Sequence, residues 1–277
     1  MRLSIRHITT YAYEPTAARV ALKLRLFPAT LPSQTVRSWR VTVNGEEPQT
    51  RCSNGWGDEE AIWIAQDGAS EVQVLAEGVV ETRDVNGVLR NWKMPARPAM
   101  FLRETALTEP SPEILELAIS ATEGKHGLAS AHALSEAVSE AIEYRANSTT
   151  PDTTAAEALR QGSGVCQDHA HVLIAAARSL GAAARYVVGY LFVGEGDEAA
   201  LADEIGTHAW VEIWIDGLGW VGFDPSNRIC PTDHYVRLAA GLDAVDAAPL
   251  RGSVTGATEE TLATEVQVAQ TQSQTQQ

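Results

Sequence analysis

Cys166, His208 and Asp224 follow one another in an order that could support nucleophilic chemistry. Cys166 lies in the stretch Gln161-Gly-Ser-Gly-Val-Cys-Gln-Asp-His-Ala170, where Gly162 and Gly164 give a flexible turn. The residues after it space Ala170, Leu173, Ile174, Ala177 and Leu180 as one helical face ending at Gly181, so the cysteine sits at a helix start. There the unpaired N–H groups and the positive end of the helix dipole favour thiolate over thiol. His208-Ala-Trp-Val-Glu-Ile-Trp-Ile215 alternates, Asp216-Gly-Leu-Gly219 turns, and Trp220-Val-Gly-Phe-Asp-Pro225 returns. That antiparallel hairpin places His208 and Asp224 at its open end. In such a set the thiolate attacks an acyl carbon, the imidazole shuttles the proton to the leaving group, and the carboxylate fixes the imidazole's tautomer and charge. By type and spacing alone, core packing and helix capping explain three such residues more readily than catalysis does.

The elements that must position these residues divide the chain. Leu3/Ile5, Val20/Leu22/Leu24/Leu26, Trp39/Val41/Val43, Ile62–Ile64 and Val72–Val80 read as half-buried strands. Turn signals at Asn44-Gly45 and Asn54-Gly55 lie between them, so residues 1–83 form an N-terminal β-sandwich or barrel. His7 and Cys52, lone reactive types in that region, read as structural. Residues 84–112 hold Pro95, Pro98, Pro110 and Pro112 without sustained periodicity and read as a linker.

A catalytic domain over 113–254 opens with Ser111 as N-cap and Pro112 at the first helical position, with Ile114, Leu117, Ala118 and Ala121 as the buried stripe. A second helix carries Leu134, Val138, Ala141 and Ile142, with Ser130 as its candidate cap, and a third follows Thr153/Thr154. Tyr186–Val193 reads as a buried strand and 194–206 as a loop rich in Glu, Asp and Ala. A late strand within 255–270, around Glu265–Val268, could return to the N-terminal domain, and the Gln-rich tail 271–277 is expected to be disordered.

The motifs restore weight to the catalytic reading. Glu157-Ala-Leu with Gly162-Ser-Gly-Val-Cys-Gln-Asp-His-Ala-His171, then Ala184-Arg-Tyr-Val-Val-Gly-Tyr190, His208-Ala-Trp-Val-Glu212 and Gly219-Trp-Val-Gly-Phe-Asp-Pro-Ser-Asn227, resemble the transglutaminase-like superfamily. The likeness is to its bacterial branch with an extra N-terminal β domain. It covers about residues 140–228, and the runs Val236–Asp243 and Pro249–Gly252 look like that branch too. The resemblance implies Cys166 as nucleophile, His208 as acid/base and Asp224 as orienting carboxylate. It implies an α+β fold, a papain-like core in which a cysteine-bearing helix packs on an antiparallel sheet, preceded by the β-sandwich-like domain. The implied chemistry is acyl transfer through a thioester, from a peptide or protein amide to water or an amine.

Three further residues border this set. Gln167 lies in the first helical turn, where the family likeness gives it weight. His169 stands where branch members commonly carry an aromatic, three residues after Cys166 on the same helical face. It either packs beside the site or joins Cys166 in a zinc hydrolase, with only Asp168 and His171 nearby to complete a metal site. Trp210, two residues after His208 on the same strand face, either walls a substrate cleft or belongs to the core, and Trp214 and Trp220 pose the same choice. Cys230 and His234 have no partner cluster and read as structural. The backbone N–H of Cys166 is the natural oxyanion donor. A non-catalytic peptide-binding module on the same fold is the competing reading. No Asp-x-Asp-x-Asp-Gly loop is present, so neither calcium dependence nor any other cofactor is expected.

Composition narrows the partners. The 277 residues carry 36 acids against 21 bases, a net charge of −15 that repels nucleic acid and anionic membrane and favours basic or lysine-bearing substrates. No apolar stretch is long enough to span a bilayer. The start Met1-Arg-Leu-Ser-Ile-Arg-His alternates rather than running apolar, unlike a signal peptide. Three cysteines, an odd count without framework spacing, suit a reducing cytoplasm.

Overall fold

The computed structural model describes residues 1–48, 50–65, 67–90, 92, 94–194 and 207–271. Most of the loop expected over 194–206 and of the tail expected over 271–277 lies outside them. The chain begins with β1 (Arg2–Ala17), β2 (Arg19–Phe27), β3 (Gln34–Val43), β4 (Thr50–Ser53), β5 (Glu59–Ile64) and β6 (Ala69–Thr82). It continues through β7 (Val88–Leu89), a 3-10 turn at Pro98–Leu102, α1 (Pro112–Thr122), α2 (Leu128–Ala141), β8 (Glu143–Tyr144), α3 (Ala155–Gln161), β9 (Ser163–Gly164) and α4 (Cys166–Ser179). The remaining elements are β10 (Ala184–Leu191), β11 (Thr207–Ile215), β12 (Gly219–Phe223), β13 (Tyr235–Gly241), α5 (Ala244–Ala247), β14 (Leu250–Thr255) and β15 (Glu259–Gln270).

The N-terminal strands alternate apolar and polar residues, and they form two four-stranded sheets ordered β15-β1-β6-β3 and β14-β2-β5-β4. Leu3, Ile5, Val20, Leu22, Leu24, Val41, Val72 and Val74 fill the space between them. Each sheet is completed from the far end of the chain, since β15 pairs antiparallel with β1 and β14 with β2. Residues 250–254, grouped by sequence with the catalytic domain, are therefore part of the sandwich.

A third, five-stranded sheet, β13-β10-β11-β12-β7, is antiparallel throughout. One face, with Ala209, Val211, Ile213, Val221 and Phe223, packs against α4. Beyond the expected stripe, α4 is buried nearly all round, because α1, α2 and α3 cover the side that the sheet does not. An all-alanine run at 175–177 lets those neighbours approach closely. The stretch 84–112 is more than a linker: Val88–Leu89 extends the sheet, and Trp92, Met94 and Phe101 join a buried cluster with Trp220. Burial of irregularly spaced aromatic residues leaves no periodic signature in sequence. Tyr190, Val236 and Leu238 extend from the five-stranded sheet into the sandwich core, so the two regions share apolar contacts. No helix among the described residues is long and apolar enough to cross a membrane.

Candidate active site

The start of α4 is fixed by hydrogen bonds. Thr154 caps α3 reciprocally with Glu157, and Gly162, in the left-handed region at φ 69°, ends that helix and turns the chain. Val165 N–H donates to Asp168 Oδ2 at 2.8 Å, and Thr149 Oγ1 donates to the same oxygen at 2.6 Å. Burial pushes the Asp168 carboxyl up, against the pull of those two donors. Gly164 leaves room for this carboxylate, since a Cβ there would stand 2.6 Å from the Asp168 Cβ. Cys166 is thereby held, buried, as the first residue of α4, where backbone N–H groups have no carbonyl four residues back to bind.

The β11–β12 register supplies the next two groups. Val211 pairs with Phe223, so His208 and Asp224 continue past the paired residues at the hairpin's open end. His208 Nε2 lies 2.6 Å from Asp224 Oδ2, with both side chains buried. The Cys166 sulfur stands close enough to the His208 ring to favour its charged form. Nδ1 is buried and makes no hydrogen bond among the described residues, which leaves it as the ring nitrogen free to serve the sulfur. Burial opposes a charge on His208, but the Asp224 carboxylate, its hydrogen bond and the Cys166 sulfur together raise the imidazole well above its ordinary range. The same pair, with Ser226 and Tyr235, overcomes burial to hold Asp224 far below the usual carboxylate range.

Asp224 is fully engaged. Oδ1 accepts from Ser226 Oγ at 2.7 Å, Ser226 N–H at 3.1 Å and Asn227 N–H at 3.2 Å. Oδ2 accepts from the Tyr235 hydroxyl at 2.7 Å and Asn227 Nδ2 at 2.8 Å, besides His208. Tyr235 does not stand out in the sequence, and Asn227 only closes the motif run that begins at Gly219, with no role assigned to it there. The only local signal is Asn227 three residues after Asp224 in one tight turn, where an Asx-type hydrogen-bond pattern is common.

The bordering residues divide. Trp210 is buried, stacked on His208 at 6.4 Å between ring centroids and edge-on to Tyr235 at 5.4 Å, so it forms the site's inner wall within a small core cluster. Trp214 and Trp220 pack edge to face with each other in the cluster under Phe101. Gln167 donates to Pro151 O at 3.1 Å, tying the loop before α3 to the helix start. His169 is buried with Nδ1 2.9 Å from Val165 O and Nε2 2.9 Å from Ile142 O. Both ring nitrogens face carbonyls, which takes His169 out of a metal site with Cys166 and gives it the role of joining α4 to the end of α2. Among the described residues no group of three His, Cys, Asp or Glu is placed to hold a metal ion. The cap expected at Ser130 is instead Gly127, whose backbone at φ 55°, ψ −126° suits glycine. His7 is buried against Tyr190 and Thr9, Cys52 is exposed, and Cys230 is half-buried.

The crystal structure of a proposed cysteine protease from Cytophaga hutchinsonii superposes on this chain with a TM-score of 0.75 at 22% identity, covering 97% of this chain and 90% of that one. The uncharacterized protein ML0607 of Mycobacterium leprae is 29% identical over 264 residues, 92% of this chain and 94% of its own length. A protein-glutamine gamma-glutamyltransferase of Pseudomonas aeruginosa is 34% identical over 84 residues, 29% of this chain and 12% of that protein. Residues 116–225 match the transglutaminase-like superfamily core, and residues 3–81 match the bacterial transglutaminase-like N-terminal region. The chain thus carries a transglutaminase-like superfamily core with the bacterial transglutaminase-like N-terminal region ahead of it.

Proposed function

We propose that this protein is a cysteine-dependent acyl-transfer enzyme acting on a peptide or protein amide through a Cys166 thioester. The observation that carries the reading is the division of the His208 ring, with Nε2 held by Asp224 and Nδ1 left to the Cys166 sulfur. The Cys166 thiolate attacks the amide carbon, and the carbonyl π electrons move onto oxygen, toward the N–H groups at the start of α4. Collapse of that intermediate breaks the C–N bond, and the His208 imidazolium gives its proton to the departing amine. Water or a second amine then attacks the thioester, His208 takes the proton, and the acid or new amide leaves with the thiolate restored. Asp224 remains ionised and holds the ring in orientation throughout.

The net charge of −15 favours a basic peptide or a lysine-bearing acceptor, and a reducing compartment such as the cytoplasm would keep Cys166 as a thiol. A library of glutamine-containing peptides, scored by mass for hydrolysis and for amine incorporation, tests the proposal. Wild type is expected to turn over a subset and Cys166→Ala none; equal product from both proteins would refute it.

A further inference from the structure

On the sheet face turned away from α4, five charged side chains form one buried network. Arg185 pairs with Glu212, which also accepts from Arg237 Nε at 3.2 Å. Asp58 pairs with Arg25 and, at 3.5 Å, with Arg237 Nη1. All five are buried. Arginine keeps its proton in proteins, so three positive charges share two carboxylates. Indole faces soften the excess, with Trp220 3.9 Å from the Arg185 guanidinium carbon and Trp92 4.8 Å from that of Arg237, but they carry no counter-charge. Burial pushes Arg185 down to about 10 against the pull of Glu212, and the like charge of Arg237 adds to the fall.

A cavity of about 20 Å³ lies beside this network, walled by Arg237, Glu212, Trp210, Tyr235 and Thr232. Arg237 Nη2 is buried and makes no hydrogen bond among the described residues. A dry guanidinium N–H and an uncompensated interior charge are each destabilising. A space of this size takes one particle about as large as water. We propose that the cavity binds a single small monovalent anion of halide size, accepting from Arg237 Nη2 and neutralising the surplus charge. The Glu212 carboxylate, which also lines the cavity beside Arg237, disfavours polyvalent anions. The site adjoins the catalytic group: Trp210 and Tyr235, which wall the cavity, also pack on His208 at 6.4 and 5.9 Å between ring centroids. Occupancy therefore stiffens the wall behind the imidazole.

Thermal unfolding of the full-length chain, with sodium gluconate replaced stepwise by sodium chloride or bromide at constant ionic strength, reads occupancy without using activity. A saturable rise in Tm of a few degrees is expected with either halide and none with gluconate, following the linkage of binding to stability. Arg237→Gln is expected to lose the saturable part. Should that variant not fold, wild-type crystals grown in bromide decide the matter, with an anomalous peak expected in the cavity. Identical melting in all three salts, or a cavity that holds only water in bromide, overturns the proposal.

Discussion

His208 Nε2 lies 2.6 Å from Asp224 Oδ2, so the carboxylate leaves the buried Nδ1 as the ring nitrogen available to Cys166. Asp224→Asn removes the charge that stabilises the imidazolium, and the amide can turn its NH2 toward Nε2 and select the wrong tautomer. A fall in kcat/KM of about 10²–10⁴-fold is expected on any peptide that wild type turns over. A variant within about twofold of wild type would show that Asp224 is a packing residue.

Tyr235 donates to the same carboxylate oxygen at 2.7 Å, and its ring packs edge-on to His208 at 5.9 Å. Tyr235→Phe leaves that oxygen richer in negative charge, so the imidazolium persists to higher pH and the alkaline limb of the pH–rate profile moves upward. Stability falls by about 1 kcal/mol through the lost buried hydrogen bond. A loss of stability with an unmoved alkaline limb would assign Tyr235 to the fold alone.

Stability against pH should show two limbs. Burial pushes His7 and His171 down to about 4 from an ordinary 6.5. Each contributes stability that is full above about pH 6.5 and is lost as pH falls toward about 4. His208 has the opposite sign: its raised value contributes stability that is full below about 6.5 and is lost on the alkaline side. Urea unfolding across pH is expected to show a flatter acid limb in His7→Gln and a flatter alkaline limb in His208→Gln. Parallel curves for all three proteins would contradict these assignments.

Two glycines in one turn separate geometry at the nucleophile from general stability. Gly164→Ala forces its Cβ against Asp168 and displaces the carboxylate that holds Val165 N–H, so Cys166 alkylation should slow while the fold persists. Gly162→Ala meets only Ala141 O at 3.8 Å and strains a left-handed residue. It should cost about 1 kcal/mol and leave alkylation unchanged. Circular dichroism with timed alkylation distinguishes the two, and equal alkylation in both variants would refute the role given to Asp168.

Much of the site was legible because its parts obey local rules. Ser111 and Thr154 cap their helices by side-chain oxygens, and the glycines around Cys166 announce the turn that presents it. The alternation from His208 through Asp224 fixed the hairpin and its open end. What stayed hidden depends on long-range pairing. Leu250–Thr255 is a mostly exposed edge strand whose return to β2 no apolar alternation marks, whereas Val266 and Val268 alternate within the late strand Glu259–Gln270 that pairs with β1. Tyr235 reaches Asp224 only after β13 pairs with β10, and the Arg185–Glu212 pair meets Asp58 from the other sheet. His169 departs from the aromatic expected at its position, and its partner Ile142 O lies 27 residues earlier, just past the end of α2, a relation that local spacing cannot express.

The central claim is that Cys166 is an activated nucleophile paired with His208. The rate of iodoacetamide labelling at each cysteine, followed by peptide mass across pH, tests it most directly. Cys166 is expected to label faster than exposed Cys52 at about pH 6, with an apparent pKa below the roughly 8.5 of a free thiol, and His208→Gln should raise that value. Labelling of Cys166 no faster than Cys52 and Cys230, with the midpoint of an ordinary thiol, would contradict the account.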